Sequence, residues 1–166
     1  MNIINEFKLE NYQQERPFTS FLSGISGKKG IPMWAFYVNR GQGLASFGLR
    51  DKNGAIMEFF PANATYRHIA RIGFRTFIKI NGKVEEFFLE NNPGQTMVIR
   101  PDQFSIIEEN NTLGIRVTIT YFTLPNEFLA GLVRKVEVTN LSEEPKDIEI
   151  VDGLAQLLTS GLDYGG

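Results

Sequence analysis

Side chains alternate with a two-residue period through GIPMWAFYVNRGQGLASFGLR, the stretch from Gly30 to Arg50, and that period belongs to extended strands. Trp34, Phe36 and Val38 fall on one side, Ala35, Tyr37 and Asn39 on the other. A second strand runs from Leu44 to Leu49, with Ala45, Phe47 and Leu49 on its heavier face. Between the two, Asn39-Arg40-Gly41-Gln42-Gly43 reads as a hairpin loop whose glycines are free to take positive φ. Polar side chains held between two aromatic strands sit where a β-scaffold commonly carries function.

The same period recurs along the chain. Phe18 to Leu22 reads as a strand, and Asp51-Lys52-Asn53-Gly54 as an Asn-Gly hairpin turn into a strand over Ala55 to Phe60 that Pro61 ends. His68 to Phe74 reads as a bend between two strands. Beyond it Phe74, Thr76, Ile78 and Ile80 alternate with Arg75, Phe77 and Lys79 before the turn Asn81-Gly82 and a strand over Val84 to Leu89. After Asn91-Asn92-Pro93-Gly94, strands are expected at Met97 to Arg100 and Phe104 to Glu109. The clearest alternation sets Ile115, Val117, Ile119 and Tyr121 against Arg116, Thr118, Thr120 and Phe122. Leu132 to Leu141 and Asp147 to Val151 are expected to pair through the loop that ends at Pro145. Strands at this spacing, with no helical period long enough to compete, predict an all-β fold, an antiparallel β-sandwich.

A chain of 166 residues is one domain, 1–166, large enough to bury a core without staples. A net charge of −2 with scattered Lys and Arg leaves no electrostatic footprint for nucleic acid. No cysteine is present, so disulfides, thiolate metal sites and a Cys nucleophile are excluded, and the single histidine, His68, excludes multi-His metal sites. His68 itself is expected to be a hydrogen-bonded structural residue. The N-terminus lacks the pattern of a signal peptide and no apolar run is long enough for a membrane span, so a cytoplasmic location is expected. The end, VDGLAQLLTSGLDYGG, reads as a cut through a longer protein.

The runs ENYQQERPFTSFLSGISG, GIPMWAFYVNRGQGLASFGLRDKNGAIMEFFPAN and IGFRTFIKING resemble the N-terminal domain of glycoside hydrolase family 94 proteins, the cellobiose-phosphorylase-like enzymes, and most of all the branch acting on 1,2-β-oligoglucans. The resemblance implies part of a galactose-mutarotase-like supersandwich. It implies a parent enzyme that cleaves β-glucosides with inorganic phosphate and inversion, needs no metal or other cofactor, and forms a homodimer. The acid of that reaction belongs to an (α/α)6 barrel downstream of the β-domain, so no catalytic residue is expected in this chain. The expected role is to support that barrel, dimerisation and substrate access. The resemblance also places Asp163 and Tyr164 on a stretch leading toward the catalytic part, as substrate-binding candidates.

Arg40 and Gln42 are the other substrate-binding candidates, because guanidinium and carboxamide groups hydrogen-bond sugar hydroxyls or phosphate and the flanking glycines allow close approach. The structural alternative is a loop whose Arg pairs with a carboxylate across the sheet. Glycoside cleavage needs a carboxylic acid of raised pKa. Glu85 and Glu86, Glu108 and Glu109, and Glu143 and Glu144 are adjacent, so each pair points to opposite strand faces and is expected on solvated hairpin edges. Asp152 and Asp163 lie in less regular sequence and are more open to a site role, while Glu58, between Met57 and Phe59, is expected on the more polar sheet face. Trp34 and Tyr37 are stacking candidates, with core packing as the alternative. A free-standing carbohydrate-binding module is the rival reading and requires exposed aromatic residues on a flat or grooved face. A mutarotase-like epimerase would need paired histidines. A domain cut from its barrel is expected to expose a large apolar patch.

Overall fold

The computed structural model describes residues 5–161. Among the described residues eleven strands, numbered in chain order, build an all-β antiparallel sandwich. One layer is a five-stranded sheet of order β1-β7-β8-β9-β10, formed by Phe7–Glu10, Gln95–Ile99, Gln103–Asn110, Ile115–Thr123 and Leu132–Asn140. The facing layer comprises two three-stranded sheets. One is β2-β3-β4 (Thr19–Ser23, Met33–Val38, Leu44–Leu49), and the other is β11-β5-β6 (Ile148–Leu154, Phe74–Ile80, Lys83–Phe87).

Alternation decides what each strand buries. Ile115, Val117, Ile119 and Tyr121 on β9, with Phe104 and Ile106 on β8, project from the large sheet onto Ala35, Tyr37, Leu44, Ile78, Ile80 and Phe87 of the opposite layer. Each such side chain contributes roughly 1.5–3 kcal/mol by leaving water. Tyr37, Phe104 and Tyr121 stack in a column, with centroid separations of 4.4 and 4.6 Å. The other face of β3 also loses its water. Phe36 and Val38 pack with Ala45 under Ile69 of a helix, α1 (Ala62–Ile72). The Asn81-Gly82 turn is as expected, with φ of 52° and 80° at its two residues.

Three local expectations fail. The stretch expected to hold a bend around His68 is α1, whose inward residues Ala62, Thr65, Tyr66 and Ile69 follow helical spacing. His68 lies exposed on that helix, its ring edge-on to Phe60. Asp51–Gly54 is no Asn-Gly hairpin. The Asp51 carboxylate accepts from the Asn53 N–H at 2.8 Å and winds Lys52–Gly54 into a 3₁₀ turn, while Arg50 takes the positive φ. Residues 55–60 then form isolated bridges only, Ala55 to Gly48 and Met57 to Thr159, because their backbone bonds are divided between Phe47 on one side and Leu158 and Ser160 on the other.

The fourth difference is long-range. β10 and β11 do not pair with each other. β10 pairs with β9, whereas β11 crosses to the opposite layer and pairs with β5, setting Ile148 and Ile150 beside Ile80 and Ile78. A polar loop of this length suffices to change layers. Among the described residues β10 and β11 each end their sheet with one unpaired edge, so the described sandwich is open along that side. Ile148, Ile150 and Val151 are 37%, 44% and 70% exposed there. Among the described residues no helix is long and apolar enough to cross a membrane.

Candidate functional site

The loop Asn39–Gly43 occupies the junction of the layers, and both of its neighbours in space are networks of buried polar groups. Gly43 must be glycine, because its φ is 81° and a Cβ would stand 2.9 Å from the Phe104 ring. That sharp return carries Gln42 inward, where it is 3% exposed. Gln42 Nε2 donates to Thr76 Oγ1 at 2.9 Å and its Oε1 accepts from Arg134 Nη2 at 2.6 Å. Thr76 Oγ1 donates to Asp152 Oδ1 at 2.6 Å. Arg134 closes the set with a two-pronged grip on Asp152 at 2.5 and 2.9 Å, a bond from Nε to the Tyr121 hydroxyl at 3.2 Å, and its guanidinium 4.4 Å above the Phe74 ring.

These five residues come from the β3–β4 loop, β5, β9, β10 and β11, so they join all three sheets. Burial raises the Tyr121 phenol far above its ordinary value and keeps it neutral. Burial alone would lower the Arg134 pKa, but the hydrogen bonds and charge interactions with Asp152 and Tyr121 together outweigh it, and the net shift is upward. Arg134 therefore keeps its charge inside the cluster.

The second network hangs from the other half of the loop. Asn39, fully buried, accepts from the Phe18 N–H and donates to the carbonyls of Tyr12 and Arg16. The Gly41 N–H donates to Gln13 Oε1, while the Tyr12 hydroxyl donates to the Gly41 carbonyl. Gln13 Nε2 continues to Gln95 Oε1 at 2.7 Å and to the Phe88 carbonyl. The chain ends on Glu108, 2% exposed, whose carboxylate accepts from the Phe88 N–H, from Asn92 Nδ2 at 2.9 Å and from Gln95 Nε2 at 3.0 Å. Burial raises the Glu108 pKa above its ordinary 4.5, against the pull of those three donors. Among the described residues no buried side-chain nitrogen or oxygen lacks a partner.

Gln42 is thus part of a cluster, but its polar atoms are spent within it. Arg40 lies outside the cluster. Its guanidinium donates to the backbone carbonyls of Asn39 at 2.7 Å and Glu15 at 3.0 Å and lies 5.7 Å from the Tyr66 ring centroid, rather than pairing with a carboxylate across the sheet. We expect Arg40→Ala to cost about 1 kcal/mol in urea unfolding, the net worth of two partly solvated hydrogen bonds. Asp163 and Tyr164 lie outside the described residues. Asp152 sits not in irregular sequence but in the regular strand β11, where it is the partner of Arg134 and Thr76.

Glu108 corrects the reading of the paired glutamates. Glu143 and Glu144 are exposed, Glu86 and Glu109 hold Arg75 and Arg116, and Glu85 pairs with Lys83, but Glu108 points into the core. The signal was present in the alternation Phe104, Ile106, Glu108, which puts the carboxylate on the apolar face. Thr76 and Arg134 carry the same signal, each a polar residue on an inward apolar face, and sequence reasoning missed both. Glu58 is half-buried beside Met57 and accepts from the Gly161 N–H at 3.3 Å. Tyr37 is core, while Trp34 remains half-buried at the mouth of an aromatic cleft with Phe21 and Phe59.

No family model matches the chain, and no curated protein matches it.

Proposed function

We propose that this chain is a non-catalytic β-sandwich domain that supports a separate catalytic barrel in an inverting β-glucoside phosphorylase similar to glycoside hydrolase family 94, working in the cytoplasm as part of a homodimer. The observation that carries the reading is the open side of the sandwich. Unpaired β-edges bordered by exposed apolar side chains are a liability in a free-standing protein and a ready seat for a neighbour. Here, among the described residues, β10 and β11 present two such edges, with Ile148, Ile150 and Val151 uncovered.

The carboxylates favour the same reading. Cleaving a glycosidic bond requires an acid that can reach the leaving oxygen. Glu108 is engaged by three N–H donors and Asp152 is held by a guanidinium, so the oxygens of both are already committed to partners within the chain.

The test is an assay of the purified chain on 1,2-, 1,3- and 1,4-β-linked gluco-oligosaccharides, with and without inorganic phosphate. No sugar phosphate and no new reducing ends are expected, whereas a polypeptide that also carries the barrel releases sugar phosphate. Turnover by this chain alone would overturn the proposal.

A further inference from the structure

The helix α1 covers only part of the outer face of the β2-β3-β4 sheet. Phe36, Val38 and Ala45 lie with Ile69 in the apolar cluster that α1 completes. At its border, Trp34 packs against this cluster and Phe21 lies 5.1 Å from the Phe36 ring, while Phe59, which follows the 3₁₀ turn, comes to 4.8 Å from Phe36. The result is a corner of aromatic surfaces. The Phe21 and Phe59 rings are nearly parallel, 14° apart with centroids 6.1 Å apart. Trp34 stands across both, at 72° to Phe21 and 83° to Phe59. Phe21 is 50% exposed and Phe59 42%. The indole is fixed in its plane, because its N–H donates to the Asp51 carbonyl at 3.0 Å.

One rim of this corner is polar. Asp51 and Lys52 line it, both exposed, and Asp51 keeps its conformation by accepting from the Asn53 N–H. The cleft encloses about 290 Å³, at the small end of ligand pockets. Its chemistry narrows the occupant. The two rim charges cancel, so neither an anion nor a cation is favoured. An apolar partner or a second copy of the chain would have to strip water from both charges without replacing their hydrogen bonds. A ring that is apolar on its faces and hydroxylated around its edge meets both halves of the site, because its C–H face lies on the aromatic carbons while its hydroxyls reach Asp51 and Lys52.

We propose that the Phe21–Trp34–Phe59 corner is a binding site for a neutral hexopyranose, a single sugar or the end of a short oligosaccharide. The sugar stacks on the aromatic walls and hydrogen-bonds the Asp51 carboxylate and the Lys52 ammonium. This site does not depend on the phosphorylase reading, since sugar can bind here whether or not a barrel is attached.

Trp34 is the chain's only tryptophan, so emission excited on the red edge of the indole band, where the five tyrosines do not absorb, reports on this corner alone. The purified chain is titrated with cellobiose and with a 1,2-β-linked glucose disaccharide. Sorbitol, which has the hydroxyls but no ring face, is the control. A saturable change with a dissociation constant of about 1 mM or tighter is expected for the disaccharides, with none for sorbitol. Phe59→Ala and Lys52→Ala should each weaken binding by roughly tenfold. Lys52→Ala touches only an exposed side chain and so separates lost binding from lost folding, with unchanged circular dichroism as the control. The proposal is overturned by no response up to about 50 mM sugar, by an equal response to sorbitol, or by emission that follows only self-association on dilution. Those failures would leave the blank phosphorolysis assay, and hence the supporting role, untouched.

Discussion

Replacing Glu108 by Ala lowers the stability of the chain by about 3–5 kcal/mol, a large part of what a domain of this size possesses. The loss has two parts. The cavity left by the shortened side chain is one. The other is the stranding of three donors, Gln95 Nε2 from the start of β7 and the Phe88 N–H and Asn92 Nδ2 from the segment following β6. Phe88 holds a positive φ of 64° there, a strained conformation for an aromatic residue that the bond to Glu108 helps to maintain. Urea unfolding measures the effect as a lower midpoint at unchanged slope. A loss below about 1 kcal/mol would mean that the segment is held by other contacts.

Glu108 also leaves a signature in pH. Its folded pKa lies above the ordinary value of 4.5, chiefly through burial. Just above pH 4.5 the folded chain therefore retains a proton that the unfolded chain has released. The stability gained in this way is fully present below the unfolded pKa and is lost as the pH rises through the folded one. Glu108→Gln removes that contribution. Across this window, the variant's stability should rise more steeply with pH, or fall less steeply, than that of the native chain. Superimposable slopes would contradict the raised pKa.

Asp152→Ala is expected to cost about 2–3 kcal/mol, and the reason lies in the partner it abandons. The Arg134 side chain is only 10% exposed and its guanidinium cannot shed its charge. Without Asp152 it keeps Gln42 Oε1, the Tyr121 hydroxyl and the Phe74 ring, none of which carries a negative charge. The reverse change, Arg134→Met, should cost less, because the Asp152 side chain is 24% exposed and can recover water. The ordering of the two losses discriminates more sharply than either value, since a pair of solvated charges would show no ordering and losses near zero.

How far the molecule could be read from its residues follows the range of the interactions involved. Strand positions are local, set by period-two patterning and by turns such as Asn81-Gly82, and these were legible. Helix α1 was obscured because its inward stripe is Ala62, Thr65, Tyr66 and Ile69, which contains one aliphatic residue larger than Ala. The Asn53-Gly54 dipeptide carried a hairpin signal that the neighbouring Asp51 side chain overrode by capturing the Asn53 N–H. Which sheet β11 joins depends on a register with β5 that no local pattern encodes.

The candidate site divides in the same way. Gln42 stood out because of its glycines, yet its partners Thr76 and Arg134 lie 34 and 92 positions further along. Arg40 was equally conspicuous, but its guanidinium reaches backbone carbonyls instead of a ligand. Glu108 was hidden by the habit of reading adjacent glutamates as solvated, although its own strand face was apolar.

The polar centre of this protein fastens three sheets together, and a double-mutant cycle on Arg134→Met and Asp152→Leu, followed by urea unfolding, measures that fastening most directly. A coupling of about 2 kcal/mol is expected, with the double variant losing clearly less than the sum of the single losses. Losses that add to within about 0.5 kcal/mol would contradict it, leaving Arg134 and Asp152 as neighbours that do not hold the layers together.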